Sequence, residues 1–66
     1  MKEPDNVPVV KLVGQDGNAF LVLTKVVKAL KQAGADSEYV DKYQEEATSG
    51  DYDNLLQVTM RYVEVA

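Results

Sequence analysis

Sixty-six residues make one domain near the lower size limit for a single apolar core, and 45% hydrophobic with 27% charged residues is a globular composition. Cysteine and histidine are both absent, which excludes a disulfide framework, a thiolate metal site and imidazole acid–base chemistry. The formal charge of −4 opposes generic binding to nucleic acid or anionic lipid, but it is uneven: five lysines against Glu3, Asp5 and Asp16 leave residues 1–33 at +2, and Lys42 with Arg61 against eight acids leave residues 34–66 at −6.

Residues 1–6, "MKEPDN", are polar and carry Pro4, the composition of a mobile tail ahead of a single globular domain over residues 7–66. They lack the cationic-then-apolar order of a secretory signal, and no apolar run in the chain approaches the roughly 20 residues of a membrane span, so a cytoplasmic location is expected. Val7–Val13, "VPVVKLV", is a β-branched run with Pro8 near its entry and Gly14 at its end, which predicts a short strand from which Lys11 reaches solvent.

"GQDGNAFLVLTKVV" admits two architectures. Asp16-Gly17 between apolar runs is a hairpin signal, whereas Asp16 or Asn18 could cap a helix. Periodicity decides. As a strand, neither face of residues 19–27 is cleanly polar. At about 100° per residue, Phe20, Leu23, Val26, Val27 and Leu30 gather on one side and Thr24, Lys25, Lys28, Lys31 and Gln32 on the other. The pattern runs to Ala33, and Gly34 supplies the residue suited to the left-handed position after a helix.

A second helix is predicted over Asp36–Thr48, capped by Asp36 or Ser37, with Tyr39, Val40, Tyr43 and Ala47 as a narrow apolar stripe. Gly50 ends it and Asp51 caps a third helix, whose stripe is Tyr52, Leu55, Leu56, Thr59, Met60 and Val63, with Val58, Tyr62 and Val65 at its border. The final "VEVA" either frays or leaves the helix to pair beside the first strand. The fold class is thus α+β, mostly α: one N-terminal strand, then three short helices, with a short C-terminal strand as the open alternative.

Few patterns here carry chemistry. Asp51 and Asp53 open like a calcium loop, but Leu56 stands where the glycine belongs and Tyr62 where the bidentate carboxylate belongs; capping explains both acids. "GQDGNA" has neither the dinucleotide-binding glycine order nor the Walker lysine, and reads as a turn. Ser and Thr hydroxyls have no histidine or cysteine to activate them, so no catalytic residue, metal ligand or cofactor site is expected, and the chain reads as a non-enzyme. Lys25, Lys28 and Lys31, with Lys11 near them, form a basic stripe that is either a solvated face or an anion-binding surface. The acids of the second half, with Glu45, Glu46, Asp51, Asp53 and the border residue Tyr62 as candidates, could meet a basic partner, while Tyr62, Val58 and Val65 could equally widen the core.

The blocks "KLVGQDGNAF", "KALKQAG" and "EEATSGDYDNLLQVTMRYVEV" resemble a family of small uncharacterised proteins of bacteria and their phages. The similarity covers about residues 10–65, with D-G-N-A-F and E-A-T-S-G-D-Y-D-x-L-L its distinctive parts. It implies a cytoplasmic bacterial or viral setting and carries over no activity and no functional residue. Three functions remain in play. The first is a protein-binding module, including a phage- or mobile-element-encoded modulator or inhibitor of a host protein acting through the acidic surface. The second is a small-anion or nucleotide-sequestering protein using Lys25, Lys28 and Lys31. The third is a structural homodimer joined through the third helix.

Overall fold

The computed structural model describes residues 1–12 and 18–66, so the expected turn at Asp16-Gly17, the end of the first strand at Val13 and the role of Gly14 lie outside the described residues. The order is β1 (Val9–Val10), α1 (Ala19–Gln32), α2 (Ser37–Ala47), α3 (Tyr52–Tyr62) and β2 (Glu64–Val65). This is the α+β, mostly helical arrangement expected from the sequence.

Residues 19–32 coil, which answers the question raised by "FLVLTKVV". Asn18 caps α1: its side-chain oxygen accepts from the Leu21 N–H at 3.1 Å and its carbonyl from the Val22 N–H. The far end closes as a Schellman motif. Gly34 takes φ +102°, its N–H bonds the Lys31 carbonyl, and the Ala35 N–H reaches the Leu30 carbonyl, so that Leu30 and Ala35 both turn into the core.

The buried face of α1 differs from the one expected. Val22, Val26 and Leu30 are the buried residues, flanked by Leu23, Val27 and Ala29, while Phe20 is 76% exposed and Leu21 is also exposed. The apolar arc of this helix is broad enough for two inward settings that differ by about 65° at about 100° per residue. Packing on both β1 and α2 selects the setting centred on the i, i+4, i+8 row and leaves Phe20 at the open edge of the first turn.

Asp36 and Asp51 cap the next two helices, each carboxylate accepting at 2.9 Å from the N–H three residues on, Tyr39 and Asn54. Val40, Tyr43 and Ala47 of α2 meet Leu55, Val58 and Thr59 of α3 in the core. Two positions on α3 depart from the expected stripe: Val58 is buried, and Met60 is 61% exposed. The Tyr43 hydroxyl and the Thr59 Oγ1 lie 2.7 Å apart, each satisfying the other inside the core.

After Tyr62 the backbone turns extended at Val63, and the last residues pair with β1 in parallel, Val9 opposite Glu64 and Val10 opposite Val65. The Glu64 N–H donates to the Pro8 carbonyl and the Ala66 N–H to the Val10 carbonyl, both at 2.9 Å. Of the two fates open to "VEVA", pairing is the one adopted. The paired strand is two residues long, shorter than the Val7–Val13 run, because β2 offers only that much partner backbone; Val7 stays exposed. β1 lies on α1 and β2 on α3.

Residues 1–6, polar in the manner of a tail, lie against the α1–α2 connection. The Lys2 N–H donates to Asp36 Oδ2 at 2.7 Å, the Asp36 N–H returns to the Lys2 carbonyl at 3.2 Å, and the Asp5 N–H donates to the Ala33 carbonyl at 2.8 Å. The Asp36 carboxylate therefore accepts from the Tyr39 N–H and the Lys2 N–H together, and these bonds hold its pKa below the ordinary aspartate value in spite of opposing desolvation. A depressed folded-state pKa means stability that is complete above the unfolded value and lost as pH falls through the folded one. In urea unfolding at a series of pH values, the difference between the native chain and Asp36→Asn is therefore expected to be flat above the ordinary carboxylate range and to shrink below it. A difference independent of pH through that range would remove the assignment.

Candidate functional site

Lys25 and Lys28 of α1 face a groove beside β1. Its walls are Val9, Val10 and Lys11 on the strand side and Lys25, Lys28 and Gln32 on the helix, with Ala29 between them, around a volume of about 250 Å³. Helical spacing puts positions 25, 28, 29 and 32 on one flank, and the capped start of α1 aims that flank along the strand. Lys25 Nζ donates to the Lys11 carbonyl at 2.6 Å, anchoring one ammonium over the strand's end. No lining residue is acidic. Lys31, the third lysine of the expected stripe, is exposed outside the groove.

The acidic candidates divide into engaged and unengaged groups. The Asp51 carboxylate caps α3, and Asp53 accepts from Gln57 Nε2 at 2.8 Å. Glu46 is half-buried: its carboxylate accepts from the Tyr62 hydroxyl and its carbonyl from Asn54 Nδ2 at 3.1 Å. Glu45 is exposed, as is Asp41 one turn before it. Among the described residues the ion pairs join the N-terminal amine to Asp36 and Glu38, and Lys2 to Asp5; none neutralises Asp41, Glu45, Asp51 or Asp53.

Tyr62 is set into the protein. Its ring stands edge-on to Tyr39 and to Tyr43, with centroids 5.5 and 5.2 Å away, so it locks the end of α3 against α2. Burial pushes its phenol well above the ordinary tyrosine value, and the hydrogen bond to the Glu46 carboxylate adds to the shift. Of the expected contact set, α2 and α3 thus bring Glu46 and Tyr62 together, and leave Glu45, Asp51 and Asp53 on the surface around the α2–α3 turn.

A second hollow of about 210 Å³ lies at the other end of the bundle, between Ala19 and Leu23 of α1, Ala47 at the end of α2 with its cap Thr48, and Tyr52 and Leu55 of α3. Its walls are largely apolar, and the one acid on its rim, Asp51, is occupied as a helix cap. Of the apolar stripe expected on the third helix, Leu55 and Thr59, with Val63 just past the end of α3, face the core, and Met60 is left outside.

The lysine stripe and the acids were legible as charge patterns. The participation of Val9, Val10, Ala29 and Gln32 was not, because the groove exists only where β1 lies along α1. Among the described residues no helix is long and apolar enough to cross a membrane, and no cluster of three acidic groups is placed to hold a metal ion. No family model, no curated protein and no solved structure matches this chain.

Proposed function

We propose that this chain is a non-enzymatic, cytoplasmic protein-binding module of bacterial or phage origin, which modulates a host protein by presenting its acidic α2–α3 side to a basic surface. The observation that carries the reading is the absence of neutralisation: Asp41, Glu45, Asp51 and Asp53 are all exposed, and no cation among the described residues pairs with them. Exposed like charges cost little while solvated and become an attractive field once a cationic surface approaches, which accelerates encounter and fixes orientation. The hydrogen bonds these acids accept, Asp51 from the Asn54 N–H and Asp53 from Gln57 Nε2, come from uncharged donors and so bring no cation to offset this potential.

The test is charge reversal away from the caps. Asp41→Lys with Glu45→Lys is expected to leave unfolding unchanged and to weaken capture of a bacterial partner by about tenfold at low salt, with the native chain's own capture declining as salt screens it. Equal recovery by the native and reversed chains would remove the acidic side from the interaction.

A second reading, a small-anion or nucleotide site, is favoured by the convergence of Lys11, Lys25 and Lys28 on one groove. Its ligand would sit between β1 and α1, and Lys31 would take no part.

A further inference from the structure

We infer that the β1–α1 groove is a docking site for an extended acidic segment of a partner protein, which adds to β1 as a further strand and places its carboxylates on Lys25 and Lys28. The first observation is the ladder. β2 takes the Pro8 and Val10 carbonyls, and successive residues of a strand direct their backbone groups to opposite sides, so the N–H and C=O of Val9 point away from β2. Among the described residues neither group has a hydrogen-bond partner. The second is location. The groove is lined by Val9, Val10 and Lys11 with no residue of β2, so it opens along that free edge. The third is charge: its polar walls are Lys11, Lys25, Lys28 and Gln32.

These observations select among occupants. A lone anion would serve the ammonium groups and the Val9 N–H but leave the Val9 carbonyl unpaired, whereas an extended backbone satisfies both, which is the economy of strand addition. A second copy offering its own β1 edge would bring Lys11, Lys25 and Lys28 against the same lysines, a like-charge juxtaposition. Nucleic acid would meet a chain of formal charge −4. An acidic peptide of alternating pattern meets each requirement: alternate side chains reach the lysines of α1, and the others lie outward beside Val9, which is 59% exposed. This site is separate from the acidic α2–α3 side, so either can fail without the other.

The probe is a pool of short synthetic peptides in which glutamate or aspartate alternates with valine or tyrosine, titrated into the intact ¹⁵N-labelled chain. Expected are amide shift changes concentrated at Val9, Lys11 and the 25–32 flank of α1, and an affinity that falls with added salt. Lys25→Glu with Lys28→Glu is expected to weaken binding about tenfold or more, and Lys31→Glu, outside the groove, to leave it within about twofold. N-methylation of alternate peptide nitrogens, which keeps every charge but removes the strand's donors, is expected to weaken binding about tenfold. The inference is overturned if no shifts appear, if the N-methylated peptides bind equally well, if inorganic phosphate reproduces the same shifts and displaces the peptide, or if sedimentation shows the edge occupied by a second copy.

Discussion

Leu30→Ala is expected to lower the unfolding free energy by about 2–5 kcal/mol, the range for truncating a leucine with no solvent exposure. A chain of this length holds roughly 3–10 kcal/mol in total, at about 0.05–0.15 kcal/mol per residue, so the single change removes a large share of it. The expectation has two physical parts. Leu30 completes the Val22–Val26–Leu30 row and also sits at the Schellman closure, where its carbonyl accepts from the Ala35 N–H, so a cavity opens at the joint between α1 and α2. And α1, with three valines among its fourteen residues, is a poor helix in isolation and depends on that packing. The matched control is Phe20→Ala. On the sequence pattern Phe20 belongs to the same apolar side and is the larger residue, yet at its observed exposure its truncation is expected to change stability by no more than about 0.5 kcal/mol. Urea unfolding followed by far-UV circular dichroism separates the two. A larger loss for Phe20 than for Leu30 would return α1 to the orientation its hydrophobic pattern first suggests.

That contrast marks the boundary of what this sequence discloses. Local chemistry was legible: Asp36 and Asp51 announce helix starts because a short carboxylate competes for the first free N–H groups, and Gly34 announces an end because few other residues accept φ +102°. The rest depends on which element faces which. Whether Phe20 or Val22 turns inward is decided by β1 and α2, and neither is encoded within residues 19–32. Tyr62 reads as a border residue until Tyr39 and Tyr43 of α2 arrive on either side of it and Glu46 takes its hydroxyl; the alternative in which border residues widen the core describes it, and describes Val58 better still. The candidate surfaces follow the same rule. Charge was legible as a balance of +2 against −6 between the two halves, but the meeting of Lys25 with the Lys11 carbonyl is a product of tertiary packing.

The buried hydroxyl pair supplies the second large effect, and its size depends on whether one partner or both are removed. Tyr43 and Thr59 have no solvent exposure, and each hydroxyl has the other at 2.7 Å. Tyr43→Phe is expected to cost about 1–3 kcal/mol, because the Thr59 hydroxyl remains in the core without its partner. Thr59→Val is expected to cost a similar amount by stranding the phenol, and it keeps the β-branch, so helix propensity scarcely enters. The double change removes both polar groups while preserving their shapes, and should therefore cost less than the two single changes added together, approaching neutrality. The phenyl ring that Tyr43→Phe leaves in place would keep the edge-on contact with Tyr62, 5.2 Å between centroids in the native chain, so the comparison isolates the hydroxyl. A double-mutant cycle by urea unfolding measures the coupling. A coupling near zero would mean that each hydroxyl, once deserted, finds another acceptor, and for Thr59 on a helix the available one is a carbonyl of the preceding turn. The pair would then orient α2 against α3 without contributing to the stability of their contact.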